Sequence, residues 1–176
     1  IRFKKGFIYY MRQLYMDALI EFYTAAGAFS DNRNLMFATA NTLFKRNDFF
    51  AAQGYYNHLL DILELEKSRI KYLLLEERKD HLSLIQYLMK VYNNLGVTLN
   101  KLSERSGDPE KYSLGLVYLT RSTEYSDTLT RNPETLERTE AMNMALLNTR
   151  GVFYPRSGFE LQIYNNIPRD LEELLF

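Results

Sequence analysis

The sequence predicts an all-α protein, an α-α superhelix in which similar helical hairpins stack as a solenoid. Three observations lead to this prediction: a self-similarity at a fixed period, apolar side chains at helical spacing, and polar turn residues between the helical stretches. A fixed period of a few tens of residues is typical of solenoids, because each repeat is one supersecondary unit that stacks on copies of itself. We therefore expect neighbouring hairpins to supply most of the packing.

When the sequence is shifted by one period of 34 residues, small residues align with small residues and large apolar residues align with large apolar ones. The step that leads from Ala18 to Ala52 also leads from Gly6 to Ala40. The same step relates larger side chains, with Phe49 on Tyr15, Tyr56 on Phe22, Leu43 on Tyr9 and Phe44 on Tyr10. Small residues at matched positions indicate two antiparallel helices that approach each other closely.

The first half of the chain is predicted to hold two hairpins in strict register. Their helices span about 2–10 and 15–28, then 34–45 and 48 to beyond 63, with apolar residues at helical spacing. Ser30, Asp31 and Asn32 form a loop that offers an N-cap for the third helix. Residues 45–48 form a short polar turn of the length that antiparallel helices need.

The second half is predicted to keep the hairpin unit while losing the period. A stretch of 22 extra residues, 61–82, is rich in Leu, Glu, Lys and Arg and free of Gly and Pro, so it lengthens helices rather than forming a loop. We expect a break at 76–80, with Asp80 or Ser83 capping the next helix. The remaining expected elements are helices over about 81–103, 109–130 and 134–150, a loop over 104–110, a loop over 153–158 and a short helix over 171–176.

The matched residues resemble the tetratricopeptide repeat (TPR) family, whose unit is a 34-residue helix–turn–helix. The family order is small, large apolar, aromatic, Ala and aromatic. The residues that match it are Ala40, Leu43, Phe49, Ala52 and Tyr56, and likewise Gly6, Tyr9, Tyr15, Ala18 and Phe22. Asn94-Leu95-Gly96 with Leu99 is a third match, although Gly115 stands where the family usually has Ala. The resemblance implies one domain over 1–176, with repeats of about 2–32, 33–80 and 81–131 and a degenerate one over 132–176.

Composition narrows the class of function. Lys plus Arg equals Asp plus Glu at 22 each, which disfavours a nucleic-acid surface because phosphate binding needs an excess of cations. The chain has no cysteine, so thiolate chemistry is absent, and no apolar stretch is long enough for a membrane span. Its first residues already fall in a predicted helix, so we expect it to continue a longer protein.

The residues that catalyse or bind metals in other proteins are sparse here. His58 and His81 lie 23 positions apart and are interpreted as structural or surface histidines, since a metal site needs three or four convergent donors. Glu64 with Glu66, and Glu172 with Glu173, are interpreted as solvated helix faces. No phosphate loop or hydrolase nucleophile motif is present. The sequence therefore predicts no enzyme, no cofactor and no metal.

The resemblance also implies a groove along the first helix of each hairpin, suited to an extended segment or a helix of a partner protein. The family positions that face this groove are occupied by Phe3, Phe7, Tyr10 and Met11, by Phe37, Asn41, Phe44 and Lys45, and by Asn93, Val97, Asn100 and Lys101. Some family members clamp a carboxylate with two Lys, two Asn and an Arg. Asn41 and Asn94 occupy the Asn places, but Phe37 stands at the first Lys place, so that clamp is rejected.

The function predicted from these observations is a non-catalytic protein–protein interaction scaffold of undefined oligomeric state. The resemblance implies a structural part of a multiprotein assembly, for instance in a bacterial envelope or motor, with a cytoplasmic location as the alternative. Two rival functions stay open at this point. The first is a regulatory module that binds a peptide or a small molecule in the groove. The second is an enzyme whose site lies in the least repeat-like region, 151–168.

Overall fold

The computed structural model describes residues 1–70, 78–130, 139–153 and 160–165 of the 176. Within these ranges the protein is all-α: seven helices and no strand are present. The helices are α1 Arg2–Met11, α2 Tyr15–Ala26, α3 Arg33–Lys45, α4 Phe49–Ile70, α5 Arg78–Ser106, α6 Pro109–Thr130 and α7 Thr139–Phe153. None of the helices in the described ranges combines the length and the hydropathy that a membrane span requires.

The described helices agree with the predicted ones to within a few residues, with two corrections. Asp80 and Ser83 lie inside α5 and do not cap it, since the helix already includes Arg78. Phe153, predicted to open a loop, is the last residue of α7. The predicted short helix over 171–176, with Glu172 and Glu173, falls outside the described residues, as do residues 154–158 of the predicted loop.

The described residues divide into two compact units, one formed by residues 1–59 with Asn165 and one by the described residues between 60 and 164. In the first unit, α2 presents Ala18, Phe22 and Ala25 to a buried cluster that also contains Tyr10 and Leu35. A methyl group on Gly6 would lie 2.6 Å from the Phe22 ring, so only glycine lets α1 come this close to α2.

The turns of the two hairpins in the first unit are the same structure, repeated one period later. After α1, Gln13 adopts a left-handed conformation (φ 61°) and the N–H of Leu14 donates to the carbonyl of Tyr9. After α3, Asn47 adopts the same conformation (φ 63°) and the N–H of Asp48 donates to the carbonyl of Leu43. Each is a Schellman motif, which ends a helix by satisfying its last carbonyls.

Polar caps fix where the next helices begin. The Asn32 side chain accepts from the backbone N–H of Leu35 at 3.0 Å, which confirms the predicted cap of α3. The Asp48 carboxylate accepts from the N–H of Ala51 at 3.3 Å at the start of α4. Both bonds satisfy backbone donors that a helix leaves unpaired at its first turn.

In the second unit, α5 and α6 cross at a pair of glycines. A methyl group on Gly96 would lie 2.8 Å from the carbonyl oxygen of Gly115, and one on Gly115 would lie 2.9 Å from the carbonyl oxygen of Gly96. Glycine at both positions therefore lets the two backbones touch. Ser122 strengthens the same contact, because its buried hydroxyl donates to the carbonyl of Met89 at 2.7 Å. This crossing fixes the position of the central part of α5, which carries Asn93 and Asn94.

Candidate functional site

Three buried asparagines of the second unit converge on one non-helical segment. Asn93 and Asn94 are neighbours on α5 and Asn148 lies on α7; their exposed fractions are 0%, 0% and 1%. Burying an amide is unfavourable unless its donors and acceptors are satisfied. The partners here are backbone groups of residues 160–164, which carry no helix or strand assignment. We call the three side chains the asparagine cluster.

Asn94 binds one residue of this segment through both ends of its amide. Its Nδ2 donates to the carbonyl of Tyr164 at 3.1 Å, and its Oδ1 accepts from the backbone N–H of Tyr164 at 2.7 Å. The amide thus offers one donor and one acceptor, as a neighbouring β-strand would.

Asn148 binds the residue two positions earlier in the same way. Its Nδ2 donates to the carbonyl of Gln162 at 2.6 Å, and its Oδ1 accepts from the N–H of Gln162 at 3.0 Å. Residues two apart in an extended chain direct their N–H and C=O groups to the same side. Two amides bind alternate positions of this backbone, a pattern that indicates an extended conformation over residues 162–164.

Asn93 joins the two bidentate contacts into one network. Its Nδ2 lies 3.1 Å from the carbonyl oxygen of Gln162 and 3.2 Å from Oδ1 of Asn94, while its Oδ1 accepts from Asn148 at 2.8 Å. Each amide orients the next, so the cluster presents fixed donors and acceptors rather than freely rotating ones. A connected and satisfied network of this kind is rigid.

Neighbouring hydroxyl groups hold α7 in place for this contact. Thr123 of α6 and Thr149 of α7 are hydrogen-bonded at 3.0 Å, and the Tyr112 hydroxyl donates to the carbonyl of Val152 at 3.2 Å. On α5, the Thr98 hydroxyl donates to the carbonyl of Asn94 at 2.7 Å. Helix α6 is thus the platform that sets the distance between the asparagines of α5 and that of α7.

The side chains of residues 160–164 do not alternate strictly between buried and exposed, although the backbone contacts fall on alternate residues. Ile163 and Tyr164 are 3% and 2% exposed, whereas the side chains of Glu160 and Gln162 face solvent. The backbone bonds are available to any extended chain, because every residue except proline has the same donor and acceptor. What distinguishes this segment from another extended chain is its buried aliphatic–aromatic pair.

A second polar cluster lies elsewhere in the second unit, around Glu64 of α4. The hydroxyls of Tyr92 and Tyr125 donate to its carboxylate at 2.8 and 3.1 Å, and Lys67 lies 3.3 Å from it. Burial alone disfavours the charged carboxylate, but the Tyr92 hydrogen bond and the Lys67 charge outweigh it and hold the pKa of Glu64 below its usual value. Glu64, interpreted from the sequence as part of a solvated face, is 36% exposed and is hydrogen-bonded to two tyrosines.

The predicted groove residues of the first unit are partly covered. Phe37, Asn41 and Tyr10 are buried; Tyr56 donates to Asn41 at 2.5 Å, and Tyr10 donates to Asn165 at 2.5 Å. The other predicted positions are accessible to different degrees. Met11 and Lys45 are exposed, and Phe3, Phe7 and Phe44 are half-buried. Buried side chains are not available to a docked segment in this conformation, so a groove here is limited to the accessible residues.

The predicted groove residues of the second unit differ in burial and in the groups that they contact. Asn93 belongs to the asparagine cluster and binds an extended segment, but the segment belongs to this chain. Val97 is fully buried, and Asn100 donates within α5 to the carbonyl of Gly96 at 3.0 Å. Lys101 pairs with Glu104 at 3.1 Å.

The structure describes the side chain of one of the two histidines considered for catalysis. His58 lies on α4, and the side chain of His81 lies outside the described residues. In the part of the chain that the structure describes, no three His, Asp or Glu side chains are grouped as metal ligands. Of the region 151–168, the structure describes 151–153 and 160–165, and the backbone of 162–164 is bound to amides there.

Sequence reasoning singles out two of the three asparagines, each for another role. It places Asn93 in the groove and Asn94 in the third repeat match, whereas it gives Asn148 no role. One signal is available for Asn148: an amide directly after Leu146 and Leu147 on a helix. Its partner Asn93 is 55 positions away, and no spacing rule links them.

Comparison of the chain with models of protein families, with curated proteins and with solved structures finds no match. Function is therefore inferred from geometry.

Proposed function

We propose that this protein is a non-catalytic interaction scaffold, built from TPR-like helical hairpins that stack as a solenoid, and that it binds extended segments of other proteins. The support for the hairpin repeat is the recurrence of one turn in the next hairpin, with left-handed Gln13 and Asn47 at equivalent positions. Stacked copies of one hairpin are expected to repeat their turn hydrogen bonds, as these two turns do.

The single observation that carries the binding function is the asparagine cluster. Two amides bind alternate residues of an extended backbone, each with one donor and one acceptor. This is recognition by strand-like pairing, in which backbone bonds supply affinity and side-chain pockets supply specificity. Amide side chains do not titrate near neutral pH, so the cluster suits binding better than acid–base chemistry.

The partner implied by this geometry is a protein with an extended segment carrying an aliphatic residue followed by an aromatic one. These two side chains would enter the space that Ile163 and Tyr164 fill, where both are almost fully buried. A charged residue at either position would lose its hydration without gaining a partner, so such segments would be rejected.

The proposal is tested by titrating a fluorescent peptide with the sequence of residues 160–165 into a variant whose site has been vacated. The vacated variant carries Ile163→Asp and Tyr164→Asp, because two buried carboxylates expel the segment. We expect saturable binding by anisotropy, lost when Asn94→Ala and Asn148→Ala are added. Asn100→Ala is the matched control, since Asn100 is a buried amide of the same helix whose Nδ2 donates to Gly96 rather than to the segment. No binding by a folded vacated variant would refute the proposal.

A further inference from the structure

The proposed binding site is already filled by the chain itself. The backbone N–H and C=O groups of Gln162 and Tyr164 are bound to the amides, and the side chains of Ile163 and Tyr164 are buried. A second extended segment cannot make these contacts while residues 160–164 hold them. Any partner that uses this site must first displace the segment.

The chemistry of the contact makes such an exchange possible. The hydrogen bonds that tie the segment to the cluster join neutral side-chain amides to backbone groups of Gln162 and Tyr164. An incoming extended segment offers the same backbone groups at the same spacing. The bonds lost when residues 160–164 leave are therefore remade by the replacement.

The internal segment also sets the affinity that a partner experiences. A segment that belongs to the same chain as its site competes with an incoming segment at a high effective concentration. A site that is vacant about one part in a hundred binds an incoming segment about 100-fold more weakly than a permanently open one. Residues 160–164 therefore weaken the binding of every incoming segment, and only a segment with a matching aliphatic–aromatic pair binds tightly enough to displace them.

We propose that residues 160–164 are an internal competitor for the asparagine cluster, and that an extended aliphatic–aromatic segment of a partner binds by changing places with them. This inference rests on the proposed function, since it concerns the same site. It adds that the free protein is self-inhibited, and that a partner releases residues 160–164 when it binds.

The first experiment compares the wild-type chain with the vacated variant, using the same fluorescent peptide of residues 160–165. We expect the variant to bind it at least about tenfold more tightly, because the wild-type site is occupied. A peptide methylated at the backbone nitrogens equivalent to those of Gln162 and Tyr164 is the control. It should bind neither protein well, since it lacks both donors.

The outcomes separate this inference from the proposed function. Equal affinity for the wild-type chain and the vacated variant would overturn the internal competition while leaving peptide binding intact. Absence of binding to a vacated variant that is folded by circular dichroism would overturn both. Tighter binding by the vacated variant, lost with Asn94→Ala and Asn148→Ala, supports both.

A second experiment needs no substitution and decides the question if the vacated variant does not fold. The chain is labelled with nitrogen-15, and amide hydrogen exchange is followed by NMR with and without excess unlabelled peptide. We expect the Gln162 and Tyr164 amides to exchange faster when peptide is present, while buried amides of α6 such as that of Leu119 keep their protection. Unchanged protection of Gln162 and Tyr164 at the highest peptide concentration would show a permanent structural contact and overturn the inference.

Discussion

At the scale of single residues, Asn94 satisfies two buried backbone groups with one amide. Asn94→Ala would leave both the N–H and the C=O of Tyr164 without this partner. Unsatisfied buried groups cost about 1–3 kcal/mol each, so we expect the free energy of unfolding to fall by about 3 kcal/mol in urea titrations. Asn100→Ala should cost clearly less, because its Nδ2 bonds the carbonyl of Gly96, within the same helix. Equal losses for the two variants would contradict this account.

The pKa of Glu64 gives a second prediction at the same scale. Because the folded pKa lies below the ordinary value of 4.5, the stabilising contribution is present above that value and is lost as pH falls through the lower folded pKa. We expect the urea midpoint of the wild-type chain to decrease below about pH 4.5, and part of this slope to disappear in Glu64→Gln. The control Glu104→Gln removes an exposed ion pair, which contributes little, and should keep the slope. An unchanged slope in Glu64→Gln would refute the assignment.

Tyr92 titrates at the opposite end of the pH range. Burial, followed by the hydrogen bond to Glu64, raises its pKa above the usual 10. Because this pKa is raised in the folded state, the neutral phenol stabilises the fold at pH values below the ordinary tyrosine pKa. The contribution is lost as pH rises through the folded pKa. The two groups therefore bound a range of pH in which this contact between α4, α5 and α6 is intact.

At the scale of elements, the left-handed residues that end α1 and α3 provide a stability prediction. For a residue other than glycine, this conformation is less favourable by roughly 1–2 kcal/mol, and the difference is smaller for asparagine than for most residues. We expect Gln13→Gly to raise the free energy of unfolding by about 1 kcal/mol and Asn47→Gly to raise it by less. Gln53→Gly, inside α4, is the control and should lower stability by about 1 kcal/mol. Thermal denaturation followed by circular dichroism ranks the three. A loss of stability in Gln13→Gly would contradict the role of this turn.

The helices themselves are predictable from the sequence, because their signals are local. Apolar spacing, the Asn32 cap and the predicted loop over 104–110 each act within a few residues of the boundary they set. The predicted start of α5 is wrong, since Asp80 and Ser83 are good caps in isolation but lie within a helix that already includes Arg78. Propensity at a boundary is weak against the continuation of a packed helix.

At the scale of the whole molecule, the site is less predictable than the fold because its partners are far apart in the chain. Resemblance places Asn93 in a groove, but its contacts with Asn148 and Gln162 span 55 and 69 positions. Tyr92 and Tyr125 reach Glu64 across 28 and 61 positions. Periodicity reports which face of a helix is apolar, whereas contacts of this range depend on how helices of different length pack.

The charge balance of the molecule leads to the last prediction. The chain carries 22 cationic and 22 anionic side chains, and the asparagine cluster is neutral. Screening weakens attraction between charges and leaves amide–backbone bonds nearly unaffected. Peptide affinity of the vacated variant should therefore stay constant within about twofold between roughly 0.05 and 0.5 M salt, measured by anisotropy. The control is a peptide of residues 160–165 with Glu160→Gln, whose side chains are all uncharged and which should behave identically. A steep loss of affinity with salt would place the binding energy in charged side chains outside the cluster.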